Sequence, residues 1–189
     1  MPDNEKNFSP RILIVPGLFG SGPEHWQSHW ERQSPNFRRV EQRDWTTPVC
    51  AEWLDVLDRE IRAEDDNVVL VGHSLGSVTI ALWARRYGRK IPGALLVAPS
   101  DTEAATFPPG TNGFAPIPVS PFPFASTVIA SKNDPYMDFD RAEALAKAWG
   151  SHFVPLGEHG HISIADGFGP WPEGLLYLSR FRDTLSSKT

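Results

Sequence analysis

Val68-Val69-Leu70-Val71-Gly72-His73-Ser74-Leu75-Gly76-Ser77 decides how the rest of this 189-residue chain is read. Four apolar residues without alternation predict a strand buried on both faces, as in a parallel sheet covered by helices. The run ends on Gly-x-Ser-x-Gly, and a helical pattern with Val78, Leu82 and Trp83 follows at once and fails at Gly88. Strand, Gly-x-Ser-x-Gly and helix, in that order, are the sequence form of a nucleophile elbow. Such a turn holds Ser74 in strained backbone with its hydroxyl clear of the sheet, and the two glycines let helix and strand approach closely around it. The amide of Leu75 then opens the helix, where unpaired N–H groups favour negative charge.

The same alternation continues on either side. Residues 11–15 predict a first strand, 38–43 a weaker polar strand near a sheet edge, 94–98 a fourth, 126–130 a fifth and 152–155 a sixth. Helical patterns lie between them. One at 24–33 places Trp26 and Trp30 on one face, and another starts with Thr47 as N-cap and Pro48 as its first residue. Two more run over 139–149, ended by Gly150, and over 172–185. Strands alternating with helices imply βαβ units, so the expected fold is α/β. It is a doubly wound, mostly parallel sheet of about six strands with helices on both faces. We expect one domain over 1–189, with 1–10 a flexible N-terminal extension. The Pro- and Gly-rich stretch 102–123 carries neither pattern, and a lid and a plain surface connection both remain open for it.

Composition excludes several classes. A net charge of -5 and the lack of a basic stripe argue against a nucleic-acid or anionic-membrane partner. The single cysteine, Cys50, cannot form an intrachain disulfide, and it reads as a small apolar residue. The first ten residues lack a signal-peptide core, and no apolar run reaches the roughly 18 residues of a membrane span. A cytoplasmic location is the expectation.

A serine hydroxyl is a poor nucleophile near neutral pH and needs a base. The order Ser, acid, His is the one used by α/β-hydrolases. Asp134 follows the fifth strand in Asn133-Asp134-Pro135, and His161 follows the sixth in Gly160-His161-Ile162. His159 shares that loop as a second candidate base, and Asp101 is a second candidate acid. Asp138 and Asp140 read as helix N-terminal residues, His73 as pointing away from the nucleophile, and His25 and His29 as packing. His159 and His161 with Asp166 lack a further ligand at a familiar spacing, so no metal is expected. The oxyanion donors expected are the backbone N–H groups of Leu75 and of Leu18, in the loop after the first strand. Phe19, Phe107, Phe114, Phe168 and Trp171 are expected to wall the substrate pocket.

Five stretches together carry a resemblance. They are Val15-Pro16-Gly17, Glu24-His25-Trp26-Gln27-Ser28-His29-Trp30, Gly72-His73-Ser74-Leu75-Gly76-Ser77, Ser131-Lys132-Asn133-Asp134-Pro135 and Gly160-His161-Ile162. The chain resembles the small serine hydrolases of the α/β-hydrolase superfamily that include the retinoblastoma-binding protein 9 family and its bacterial relatives. That resemblance implies a compact hydrolase without a cap domain, a triad falling on Ser74, Asp134 and His161 rather than His159, and esterase activity. One feature departs from it. Binding to the retinoblastoma pocket is linked to Leu-x-Cys-x-Glu, whereas Pro48-Val49-Cys50-Ala51-Glu52 lacks the leucine, so that partner is not expected. The expected activity is hydrolysis of small-molecule esters with short neutral acyl groups, through an acyl-enzyme and without a cofactor. The alternative is a non-enzymatic protein-interaction module that has kept the fold.

Overall fold

The computed structural model describes residues 10–187; the expectation for 1–10 therefore lies, Pro10 apart, outside the described residues. In chain order the elements are β1 (Arg11–Val15), α1 (Trp26–Gln33), β2 (Phe37–Arg39), α2 (Cys50–Arg62), β3 (Val68–His73) and α3 (Leu75–Tyr87). Then come β4 (Gly93–Val97), β5 (Ala125–Ser131), α4 (Phe139–Trp149), β6 (His152–Leu156) and α5 (Pro172–Ser186). The strands form one sheet in the order β2-β1-β3-β4-β5-β6, and every neighbouring pair is parallel. The chain leaves β1 for β2 on one side and then crosses to β3 on the other. The strand order therefore reverses between β1 and β3, and ligands of open α/β sheets bind beyond the carboxyl ends at such a point.

Alternate side chains of each central strand feed two separate cores. Leu13, Val15, Leu70, Leu96 and Val128 pack with α2, α3 and α4 through Trp53, Leu57, Ile80, Trp83 and Trp149. Ile12, Ile14, Val69, Val71, Leu95 and Ile129 pack with α1 and α5 through Trp26, Trp30, Leu178 and Phe181. This two-sided burial is why the β3 sequence shows no polar alternation. Among the described residues no helix is long and apolar enough to cross a membrane.

Two expected boundaries are corrected. The second strand is Phe37–Arg39 rather than 38–43: of this segment only these three residues pair with β1, and after Val40 N–H donates to the Ile14 carbonyl the chain turns away. The helix expected from Pro48 starts at Cys50, with Val49 and not Thr47 as N-cap. Asp44 explains the delay. Its carboxylate accepts the amides of Thr46 and Thr47 and both threonine hydroxyls, and these bonds hold it well below the usual carboxylate range. Thr47 is thus committed to Asp44, and Cys50 N–H donates to the Asn112 carbonyl at 2.8 Å. The 102–123 stretch holds no helix or strand; Phe114 and Ile117 anchor it in the core, and Trp149 Nε1 donates to the Pro118 carbonyl. Cys50 is buried beside it, and burial pushes its thiol up to about 11.

Candidate active site

Ser74 stands at the turn from β3 into α3 with φ 56° and ψ -125°, a conformation an L-residue adopts only at a cost of about 1–3 kcal/mol. Its amide donates to the Val97 carbonyl on β4 at 3.1 Å, which ties the turn to the sheet. Glycine is required on both sides of it by close approach. A Cβ on Gly76 would overlap the Val15 and Pro16 carbonyls, and one on Gly17 would lie 2.8 Å from the Ser74 Cβ and 3.1 Å from the Leu75 nitrogen. The loop after β1 is thereby pressed against the start of α3. Among the described residues the amides of Leu18 and Leu75 have no hydrogen-bond partner, and Leu18 faces the same pocket as Ser74. Two free N–H groups beside the serine are what a developing oxyanion needs.

His161 arrives on the loop after β6. Its Nε2 lies 2.9 Å from Ser74 Oγ, and its Nδ1 lies 2.9 Å from each oxygen of Asp134 on the loop after β5. The carboxylate can only accept, so the proton is assigned to Nδ1, and Nε2 is left to accept the Ser74 hydroxyl proton. The Asp134 side chain is 2 % exposed and also accepts the Tyr136 amide, which fixes it against the ring. The Tyr136 ring meets the His161 ring edge-on at 4.7 Å.

Several groups hold the His161 backbone. Asp166 accepts the His161 and Ser163 amides and the Ser163 hydroxyl. Trp26 Nε1 donates to the Ile162 carbonyl across 136 residues of sequence, and Trp30 Nε1 donates to the Pro170 carbonyl. His73 Nε2 donates to the His161 carbonyl at 2.9 Å, so this residue beside Ser74 does not point away from the site but holds the His161 backbone. The His25 ring lies tilted against the His73 ring at 4.7 Å and caps α1, its Nδ1 accepting the Gln27 amide. Burial, then Arg39, then His161 bring the His25 ring down to about 3; burial, with His25 and His161 nearby, likewise keeps His73 well below the usual histidine range. Both rings are neutral around Ser74.

The pocket at Ser74 is a cavity of about 240 Å³ lined by Leu18, Phe19, His25, Ser100, Phe107, Pro108, Tyr136 and Ser163 as well as Ser74, His73 and His161. Phe19 and Phe107 line this cavity. Three expected wall residues do not. Phe114 is buried against Trp53 in the α2 core, Trp171 stacks on Trp30 and meets Trp26 in the α1 core, and Phe168 packs on Trp171 and His159. Phe114 and Trp171 are buried in the two cores, and Phe168 is half-buried against the second. Asp101 is held at 2.9 Å by Arg141 and lies outside the pocket lining, and His159 turns to Phe168 rather than to Ser74. Sequence reasoning did not single out Ser100 or Tyr136; Ser100 stands three residues past the end of β4 and one before Asp101, and Tyr136 two past Asp134, which is the one signal available. Larger cavities of about 520 Å³ and 690 Å³ lie at α2–α3 and at β5–β6–α5, and neither contains Ser74 or His161.

The parallel sheet, the elbow and the order of the loops define an α/β-hydrolase fold. The serine hydrolase family model matches residues 12–180, and the chain belongs to that family. It is similar to a YdeN-like hydrolase from Pectobacterium atrosepticum, with 38 % identity over 92 % of this chain and 91 % of that one and a TM-score of 0.82. Two further structures share the fold. The ydeN gene product from B. subtilis gives 22 % identity, 93 % and 100 % coverage and a TM-score of 0.77. A thermophilic esterase from Thermogutta terrifontis gives 14 % identity, 94 % and 90 % coverage and a TM-score of 0.69. Comparison with curated proteins returned no match.

Proposed function

We propose that this serine hydrolase is a carboxylic ester hydrolase acting through a Ser74–His161–Asp134 triad and an acyl-enzyme. The observation that carries the reading is the unbroken run from Asp134 through His161 Nδ1 and Nε2 to Ser74 Oγ, with both links at 2.9 Å. Ser74 Oγ attacks the ester carbonyl while His161 Nε2 takes its proton, and Asp134 stabilises the imidazolium. The amides of Leu18 and Leu75 hold the oxyanion. His161 returns the proton to the departing alkoxide, and the alcohol leaves. Water then repeats the sequence on the acyl-enzyme, and the carboxylic acid is released.

The lining favours small neutral acyl groups. His25 and His73 are kept neutral, so a charged acyl chain would lose its hydration without gaining a partner. A methylene adds about 0.8 kcal/mol only while it is buried, and a pocket of about 240 Å³ runs out early. We expect kcat/KM on p-nitrophenyl esters to peak from acetate to butyrate and to fall by octanoate. Ser74→Ala should abolish both this hydrolysis and labelling by a fluorophosphonate, with an unchanged circular dichroism spectrum. Near-full activity in Ser74→Ala would refute the mechanism, and a steady rise out to long chains would refute the pocket.

A further inference from the structure

Ser100 belongs to no motif, yet its hydroxyl is the second side-chain group on the nucleophile. Its Oγ lies 2.8 Å from Ser74 Oγ, and the residue is 1 % exposed. The fold aims it there. β4 ends at Val97, Ala98 turns the chain at φ 43° while its amide donates to the Ile129 carbonyl, and the Asp101 amide is fixed on the Tyr136 carbonyl. Ser100 is held between those two anchors on the carboxyl edge of the sheet.

The direction of its hydrogen bond follows from the protons already assigned. Asp134 only accepts, so His161 donates through Nδ1; Nε2 is then an acceptor, and Ser74 spends its one proton there. Ser74 Oγ has no proton left for Ser100. The Ser100 hydroxyl must therefore donate to Ser74 Oγ, leaving the second lone pair of that oxygen for the substrate.

A donor on Oγ acts differently in the two halves of a serine hydrolase cycle. In acylation the oxygen is a neutral acceptor in the free enzyme and gains charge in the transition state, while the same donor withdraws electron density needed for attack. The two effects oppose each other. In deacylation the starting state is an ester oxygen, a poor acceptor. Water attacks the acyl carbon and gives its proton to His161 Nε2; the C–Oγ bond then breaks, its electron pair stays on Oγ, and His161 returns the proton to Oγ. Charge appears on Oγ as it departs, and hydrogen bonds to charged oxygens are about twice as strong as neutral ones.

We propose that Ser100 is a further catalytic residue, which donates to Ser74 Oγ and assists the departure of that oxygen when the acyl-enzyme breaks down. This rests on the triad reading above. The test is stopped-flow hydrolysis of p-nitrophenyl acetate by the wild-type, Ser100→Ala and Ser100→Thr proteins, with fluorophosphonate labelling and melting temperatures in parallel. Ser100→Ala should label at close to the wild-type rate. It should release a burst approaching one nitrophenolate per active site, and then turn over about tenfold more slowly, the loss expected of one hydrogen bond to a charged group. KM should fall with kcat, leaving kcat/KM nearly unchanged, and Ser100→Thr should recover most of the turnover. A merely structural role would lower kcat and kcat/KM together without a burst, and that result overturns the proposal, as does an unchanged kcat. In both cases labelling of the variant shows that the triad still stands. Failure of the wild-type protein to label at all would overturn the hydrolase reading and this one with it.

Discussion

Ser74 and Ile162 both stand at positive φ, 56° and 52°, at the carboxyl edge of the same sheet, and they are held by different means. The elbow at Ser74 is built from backbone. It is flanked by β3, buried along its whole length, and by α3, and glycines on either side let main chain touch main chain. The loop carrying His161 and Ile162 runs between β6 and α5, and Ile162 is buried against side chains of α1 and α5. It is held by side chains sent from elsewhere: Trp26 and Trp30 from α1, His73 from the end of β3, and Asp166 from its own turn. A nucleophile needs one fixed position. His161, as the proposed base, must align with two partners, Ser74 and Asp134, on different loops, and side-chain bonds supply that alignment.

The largest expected effect removes the proposed base. His161→Ala should cost on the order of 10⁶ in kcat, as much as Ser74→Ala, because triad members act as a unit. Asp134→Asn should cost about 10⁴, since the amide can hold the wrong imidazole tautomer. Both variants should keep the wild-type melting temperature within the error of one hydrogen bond. Steady-state hydrolysis of p-nitrophenyl acetate reads the two losses, and full turnover in Asp134→Asn would move the acid elsewhere.

The contrast between backbone and side-chain support is sharpened by pairing two variants. Gly76→Ala drives a Cβ into the Val15 and Pro16 carbonyls of the sheet, which cannot yield, so it should destabilise by about 3 kcal/mol or more in urea unfolding. Trp26→Phe keeps the ring in the core but strands the buried Ile162 carbonyl, at about 1–3 kcal/mol. Its distinguishing mark should be a loss of about tenfold in kcat in the protein that remains folded, because a small displacement of the base spoils its alignment. Equal stability losses, or a fully active Trp26→Phe, would erase the difference between backbone and side-chain support.

The smallest effect lies at the seam between the two regions, where the His25 ring packs tilted against His73. Both folded-state values are lowered, so below pH 6.5 the unfolded chain binds protons that the folded chain refuses. Stability from these rings is therefore complete above about pH 6.5 and is lost as pH falls toward about 3 for His25, by about 1.4 kcal/mol per pH unit for each ring. Thermal melts between pH 7 and 4 should show the decline. His25→Asn, whose side chain can still cap α1, should make it about half as steep. An unchanged slope would mean that His25 titrates normally.

What could be read from the residues alone was what adjacent residues decide together. The Val68–Val71 run, the Gly-x-Ser-x-Gly turn and the helix ended by Gly88 are contiguous, so the elbow is legible in the local sequence, although contacts with Val15, Pro16 and Val97 hold it in the fold. The order of strands and helices followed from the same kind of local pattern, and the parallel sheet followed from the order. Boundaries failed where distant partners intervene. Asp44 and Asn112 take up the backbone that Thr47 and Pro48 would have used to start α2. Side-chain destinations failed for the same reason: nothing near Phe114, Phe168 or Trp171 in the sequence says that a core lies closer than the pocket. The contact of Ser100 with Ser74, and the reach of Trp26 to the loop of His161, join residues 26 and 136 positions apart. Only the packing of the folded chain brings such groups together, because burial and hydrogen bonding act on distance in space and leave no periodic trace along the sequence.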